Sequence, residues 1–414
     1  MGSGKTVAVA GAGMVGLCTA LSLLERGYEV TLVDRNEPLQ KASRWNAGVL
    51  ATSSLWPMVN PGLPRAALGL ATGRSPGFRI NPACLGAALP FGLRALRAAR
   101  APGFEARVAA LDRLIGQSRT RHDALIKKVN CAAQVTDNGW LFLFETSAAL
   151  AAARDQVEAF AAHGVAHEVI GRDGLADLEP HLAPRFEHGI WLTGSAWVRE
   201  PAVLGAAYMA HFGSLGGRLL RAEVAEVDLG APALRLGGGE LLAADHVVIA
   251  AGPWTGTLLA RAKLRLPLVG ERGYLRRVAP VGNAGLERPV FDTAGGIVLS
   301  PRPDGIQIST GTELCQPGAP IRARQAREAL DRARLLLPLG EQIGPLESAE
   351  RPTLPDTLPA IGPLAGAPGV WLATGHQHIG FSTSAGTGEL IAEGIAGAAM
   401  PSWAAPFAPA RFGL

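Results

Sequence analysis

Lysine is scarce in this chain. Only Lys5, Lys41, Lys127, Lys128 and Lys263 occur, so 34 of the 39 basic residues are arginine, and the formal net charge is only +4. No basic run is interleaved with aromatics, so no nucleic-acid motif is present. The four cysteines, Cys18, Cys84, Cys131 and Cys315, stand far apart with no CxxC pair. That spacing excludes a zinc ribbon or a disulfide framework and suits reduced thiols in a cytoplasmic protein. No run of about twenty apolar residues exists, so no membrane-spanning helix is expected. The chain passes almost at once into "TVAVAGAG", which leaves no room for a signal peptide. Tyrosine occurs only three times. No Ser-His-Asp set or pair of catalytic carboxylates stands out.

What is abundant is glycine, 52 in 414 residues, alongside 48% hydrophobic residues and 30 prolines. A folded, loop-rich protein of two domains, or of one domain with an insertion, follows. "KTVAVAGAGMVGLCTALSLLERGYEVTLVDR" reads as strand, tight turn, helix, strand, with Val7–Ala10 and Val30–Val33 as buried parallel strands. Gly11, Gly13 and Gly16 have GxGxxG spacing. The first permits the turn, the second admits a pyrophosphate to the backbone, and the third lets helix and strand pack closely. The phosphates then face the N–H groups that open the helix, contributed with Ala12, Met14 and Val15. Asp34 closes the second strand and suits a ribose hydroxyl, with Arg35 beside it. This is a dinucleotide site, and the motif alone leaves NAD and FAD open.

A nicotinamide fold would continue its strand–helix alternation, and this chain does not. "PLQKASRWNAGVLATSSLWPMVNPG" is a long irregular segment of the kind that carries function. Helical periodicity returns from Leu85 to Val129, "GWLFLFET" suggests a strand, and Pro201–Gly216 reads as a helix with proline in its first turn. "ADHVVIAAGPWTGTLLA" is a strand running into Gly252 and a new helix. Leu266–Ile308 is rich in strands, and the chain ends as strand, glycine loop, helix. A basic stretch, Phe91–Arg107, reads as a solvated helix face, with an anionic membrane surface as the alternative.

Four motifs in this order resemble those of the FAD-dependent D-amino-acid dehydrogenase/oxidase superfamily, with bacterial D-amino-acid dehydrogenase and glycine oxidase as the nearest forms. They are GAGMVG with Asp34, "SRWNAGVL", "VVIAAGPWT", and "ERPTLPDTLPAIGP" followed by "TGHQHIGFSTSAGTG". The resemblance covers the whole chain and is loosest over residues 81 to 200. It implies an α/β fold: a Rossmann-like FAD-binding domain from 1–80, 200–265 and 348–414, interrupted by an α+β substrate domain with a mixed or antiparallel sheet from 81–199 and 266–347. It implies dissociable, non-covalent FAD, because "SRWNAG" holds no cysteine or histidine. The residues it carries to the cofactor are those of the glycine turn with Asp34 and Arg35, then Ser43, Asn46, Ala47, Gly48 and Leu50, then Val224, Ala251, Gly252 and Trp254. From the last loop come Gly375, His378, Ile379, Gly380, Phe381 and Ser382. His376 is expected to orient that loop, and no metal is expected at the two histidines.

On the substrate side the resemblance makes Arg351 the carboxylate ligand and Tyr274 its helper. A planar, permanently charged guanidinium suits that task. Alternation places Arg272, Tyr274 and Arg276 on one strand face, either as a solvated edge or as a second carboxylate clamp. Glu350 is expected in a salt bridge rather than in catalysis. Trp45, Trp197 and Arg199 depart from the family pattern and suggest a pocket shaped for a cyclic or N-substituted amino acid. The implied reaction is oxidation of a D-amino acid to the imino acid by hydride transfer to flavin N5. Oxygen or a quinone is the electron acceptor, in the cytoplasm or peripherally on the inner membrane face. The alternatives are a sarcosine or N-methyl amino acid oxidase, a flavin subunit of a larger dehydrogenase, and, outside the class, an NAD-dependent dehydrogenase.

Overall fold

The apolar run after Lys5 becomes strand β1, Thr6–Ala10, whose last four residues are buried. The run ending at Asp34 becomes strand β2, Glu29–Asp34. They pair in parallel with Ala10 opposite Val33, and helix α1, Met14–Leu24, makes the crossover that parallel strands require. A computed structural model describes residues 4–65, 69 and 77–414. In it β1 and β2 belong to a six-stranded sheet drawn from distant parts of the chain: Arg218–Arg221, β2, β1, His246–Ile249, Val370–Thr374 and Ala360–Pro363. Neighbours are parallel except for the last pair.

A second, ten-stranded mixed sheet is organised around the long strand Val269–Pro280. On one side this strand pairs with Leu339–Thr353, and on the other with Gly305–Ser309 and Thr312–Cys315. The architecture is the α/β combination expected from the sequence. Leu339–Thr353 is one continuous strand, so the chain runs unbroken through the expected boundary at 347/348.

The helical stretch from Leu85 to Val129 is two helices, Leu85–Arg100 and α2, Phe104–Lys128. The break falls at Pro102-Gly103, where Gly103 takes φ +81°, a conformation that other residues adopt at a cost. The buried face of α2, including Leu111, Leu114, Ser118 and His122, packs on the C-terminal helix α3, Gly380–Ile395. This part of the segment 81–199 therefore supports the dinucleotide sheet and its helices.

α1 and α3 approach until their backbones touch. A Cβ on Gly388 would lie 2.6 Å from the Cys18 carbonyl oxygen and 2.9 Å from the Thr19 nitrogen. Around this contact Cys18 bonds Ser384, and Glu389 takes both the Ser22 hydroxyl and the Arg26 guanidinium. On the other side of α3 the Gly386 N–H donates to Ser118 Oγ of α2. Interiors at crystal-like density do not absorb an extra methyl without strain. Gly388→Ala should therefore cost about 1–3 kcal/mol of stability. Gly92→Ala, in the helix Leu85–Arg100 with no atom within 4 Å of the new carbon, should be neutral or stabilise by up to about 1 kcal/mol. Denaturant melts of the two variants test this, and equal midpoints would refute the contact.

Candidate active site

One cavity draws its walls from strands of both sheets and from the irregular segment after β2. One end is walled by Asp34, Arg35, Val224, Trp254 and Thr257, the other by Trp140, Val298, Ser309, Thr310 and Arg351. The N-termini of α1 and α3 both open onto it, through Gly13–Val15 and Gly380–Ser382.

At the first end, Gly11 has φ +115° and any Cβ would overlap the Ala250 carbonyl, so the turn admits glycine alone. Gly13 differs. A Cβ there would meet only Ser43 Oγ at 3.4 Å, so the protein leaves the space before the helix free. Among the described residues no acceptor takes the Gly13 or Val15 N–H, whereas Met14 N donates to Ser43 Oγ at 2.9 Å. Unpaired amides and an open face at a helix N-terminus fit a phosphate. Asp34 accepts from Ala12 N at 2.9 Å and Asn36 N at 2.8 Å, which fixes its carboxylate at the cavity wall. The Arg35 guanidinium stacks over Trp254 at 5.0 Å.

The irregular segment is held by a residue the sequence did not single out. Arg302 is buried and donates to the carbonyls of Asn46, Val198 and Arg199, while Gln307 also reaches Asn46. Among the described residues no acid pairs with it directly, and burial lowers its pKa to about 10, so it stays charged at neutral pH. It fixes Asn46–Gly48, and Gly48 has φ +84° because a Cβ would press on Val198 O at 2.5 Å. Nothing in "SPRPDG" distinguished Arg302 from an ordinary turn residue.

The loop before α3 is built from backbone, with His376 beneath it. His376 is buried, its Nε2 lies 3.0 Å from Thr387 Oγ1, and Thr387 in turn donates to the Thr383 carbonyl. The ring therefore donates from Nε2, and burial lowers its pKa to about 3. His378 instead opens into the cavity near Glu271 and Arg351. Burial lowers its pKa, Glu271 opposes that effect and Arg351 adds to it.

Most residues expected at the cofactor line the cavity: Gly11, Ala12, Gly13, Met14, Val15, Asp34, Arg35, Ser43, Asn46, Ala47, Val224, Ala251, Gly252, Trp254, His378, Ile379, Gly380, Phe381 and Ser382. Gly16, Gly48, Leu50 and Gly375 stand behind the wall. Gly16 packs beneath the Gly11 carbonyl, Leu50 is buried beside Val49, which lines the cavity in its place, and Gly375 is backed by Leu354.

Arg351 lines the cavity and Tyr274 does not. Gly273 and Leu275 face the cavity, and alternation turns Tyr274 and Arg272 to the opposite face. There the Tyr274 hydroxyl donates to Glu313 at 2.6 Å and accepts from Arg322 N. Arg272 is neither a solvated edge nor a clamp: it is 1% exposed and bonded to Glu350, Glu313 and the carbonyls of Ala319 and Pro320. Glu350 is thus salt-bridged, with Arg272 as its partner. Trp197 is buried with its indole on Asn138, and Arg199 bonds Thr136, so neither shapes the cavity. Trp45 and the unheralded Trp140 do.

Residues 6–394 match the family described as FAD dependent oxidoreductase. The chain belongs to that family. It is 28% identical to a D-amino-acid oxidase of Bradyrhizobium diazoefficiens over 437 residues, covering all of both chains. It is 29% identical to a D-amino acid dehydrogenase of Sinorhizobium medicae over 418 residues, covering 98% of this chain and all of that one. The glycine oxidase of Geobacillus kaustophilus has the same fold, with a TM-score of 0.72 at 22% identity over 98% of each chain. As in the family, FAD is the cofactor. The open face of Gly13, the unpaired amides and the second helix N-terminus are consistent with it. Among the described residues no three His, Cys, Asp or Glu side chains converge as a metal set.

His376 is neutral in the folded oxidoreductase and binds a proton in the unfolded chain near its ordinary value of 6.5. The unfolded state therefore holds more protons between about pH 3 and 6.5, so this contribution is complete above pH 6.5 and is lost as the pH falls towards 3. His376→Gln should flatten the acid side of a stability-versus-pH curve by up to roughly 1.4 kcal/mol per pH unit. An unchanged slope would show that His376 is already charged in the fold.

Proposed function

We propose that this oxidoreductase oxidises an amino acid at its α-carbon–nitrogen bond. The substrate is a D-amino acid or a related secondary or cyclic amino acid. Arg351 carries the proposal: a guanidinium at the cavity end away from Asp34, with its Nη1 held by Glu271 at 3.0 Å. The names of the relatives, D-amino-acid oxidase and D-amino acid dehydrogenase, support the same substrate class. The amine loses two electrons and two protons to become an imine, and water then converts the imine to an oxo acid, with release of ammonia from a primary amine and of the substituted amine from a secondary one. FAD, when bound, supplies the two-electron acceptor.

The chain's own residues supply binding and orientation. Gly11–Val15 would hold the pyrophosphate of bound FAD, Asp34 its ribose, and Ser43, Asn46, Ala47 and Ile379–Ser382 its ring. The N–H groups opening α3 stabilise negative charge at that end of the site without reorganising. Arg351 binds the substrate carboxylate in bidentate fashion and fixes the α-carbon for transfer. No side chain needs to act as base, since the neutral amine drives the oxidation. Oxygen or a quinone would take up the two electrons.

Anaerobic addition of D-, L-, cyclic and N-methyl amino acids to the holoenzyme should bleach the flavin spectrum with at least one D-amino acid or its cyclic relative. Readmitted air then separates oxidase from dehydrogenase. Arg351→Met should keep its FAD and lose roughly a hundredfold in kcat/KM, about 3 kcal/mol. No bleaching by any of these compounds would sink the amino-acid reading.

The same proposal includes peripheral contact with an anionic membrane. Among the described residues no helix is long and apolar enough to cross one. The helix Leu85–Arg100 nevertheless exposes Leu85, Leu89 and Leu93, at 59%, 69% and 51%, beside the exposed Arg94, Arg97 and Arg100. An apolar stripe flanked by cations suits an acidic lipid surface. The protein should co-sediment with phosphatidylglycerol vesicles more than with phosphatidylcholine vesicles, and Leu89→Glu with Leu93→Glu should abolish the difference. Equal recovery from both vesicle types refutes the contact.

A further inference from the structure

We propose that Glu271 and Gly273 are positioning residues for Arg351, and through it for the substrate carboxylate. The inference rests on the amino-acid reading above. Glu271 stands opposite Arg351 in the register between Val269–Pro280 and Leu339–Thr353. Glu271 is 3% exposed, and its carboxylate is independently anchored. Oε1 accepts from Thr312 Oγ1 at 2.7 Å and Oε2 from Thr353 Oγ1 at 2.9 Å. The acid therefore does not follow the arginine; it gives the arginine an address. Arg351 Nη1 donates to Oε1 at 3.0 Å.

Burial alone would raise the Glu271 pKa, but the Arg351 charge and the two threonine hydroxyls outweigh it and hold the group below the usual range. It remains an anion at neutral pH. Among the described residues no acceptor takes Arg351 Nη2 or Nε, so that edge of the guanidinium is free for a carboxylate.

Gly273 supplies the space. A Cβ at this position would collide with Arg351 Nη2 and lie 3.1 Å from Cζ. The guanidinium thus rests in a notch in the neighbouring strand. Any side chain there lifts the plane off the strand and away from Oε1. A long side chain held at two points gives up its rotamer freedom during folding rather than during substrate binding. The pair thereby lowers the cost of capturing the carboxylate.

The test uses the FAD-loaded protein and benzoate, a simple carboxylate, followed by calorimetry and by perturbation of the flavin visible band. Flavin content and melting temperature serve as controls. Glu271→Ala and Gly273→Ala should each weaken benzoate about tenfold, and the double variant should also lose about tenfold rather than a hundredfold, because both act through one guanidinium. Glu271→Gln, which keeps an oxygen facing Nη1, should bind within about threefold of the parent. With substrate, KM should rise while kcat is largely kept. In an Arg351→Met background Gly273→Ala should change nothing further.

Gly273→Ala displaces only the end of a flexible side chain, so it carries the test if Glu271→Ala fails to fold. Unchanged or tighter benzoate binding in Glu271→Ala, or multiplicative losses in the double variant, would overturn the positioning role. Unchanged benzoate affinity in Arg351→Met would instead remove the amino-acid reading, and this proposal with it.

Discussion

The site depends on the backbone contact between Gly388 and the Cys18 carbonyl. It lets α1 and α3 pack with no side chain between them, and their N-termini then open onto one cavity. Each terminus carries a partial positive charge, and at α1 the Gly13 and Val15 N–H groups find no acceptor among the described residues. Separated by a methyl group's thickness or turned by a few degrees, they would no longer face one elongated ligand. α2 fixes the other side of α3 through Ser118 and through His122, whose Nε2 lies 3.1 Å from the Phe381 carbonyl. Burial lowers the His122 pKa to about 4, so an uncharged ring fills this junction.

Charge is handled differently at the two ends. At the end near α1, Asp34 is held in place by backbone amides. At the other end a buried acid and an arginine face each other, so the resting site carries little net charge there. Arg302, by contrast, is buried against neutral acceptors, three main-chain carbonyls and Gln307 Oε1. It shows how a cation can be spent on holding a loop: three carbonyls are satisfied at once by a planar group with five donors.

The glycine turn and the final loop were legible because backbone approach demands glycine in fixed spacing, and that demand is written along the chain. The parallel strands were legible as buried apolar runs. What sequence reading missed depends on register. Whether Tyr274 or Gly273 faces the cavity turns on a one-residue phase in a strand buried on both faces, where no polar alternation marks the phase. Glu271 became meaningful only once pairing set it against Arg351, 80 positions away. Arg302 and Trp140 carry no local signature either. The reach of α2 into the other layer was hidden because an amphipathic helix declares that it has a buried face, and not what covers it.

A single bridge joins Thr353 to His376, so the strand that carries Arg351 is tied directly to the loop before α3. The two are thereby coupled through main chain. The surrounding walls, Trp45, Trp140, Leu275 and Val298, come from four separate stretches of chain. Exchanging any of these four residues therefore reshapes the cavity wall while the main-chain tie between Thr353 and His376 stays in place.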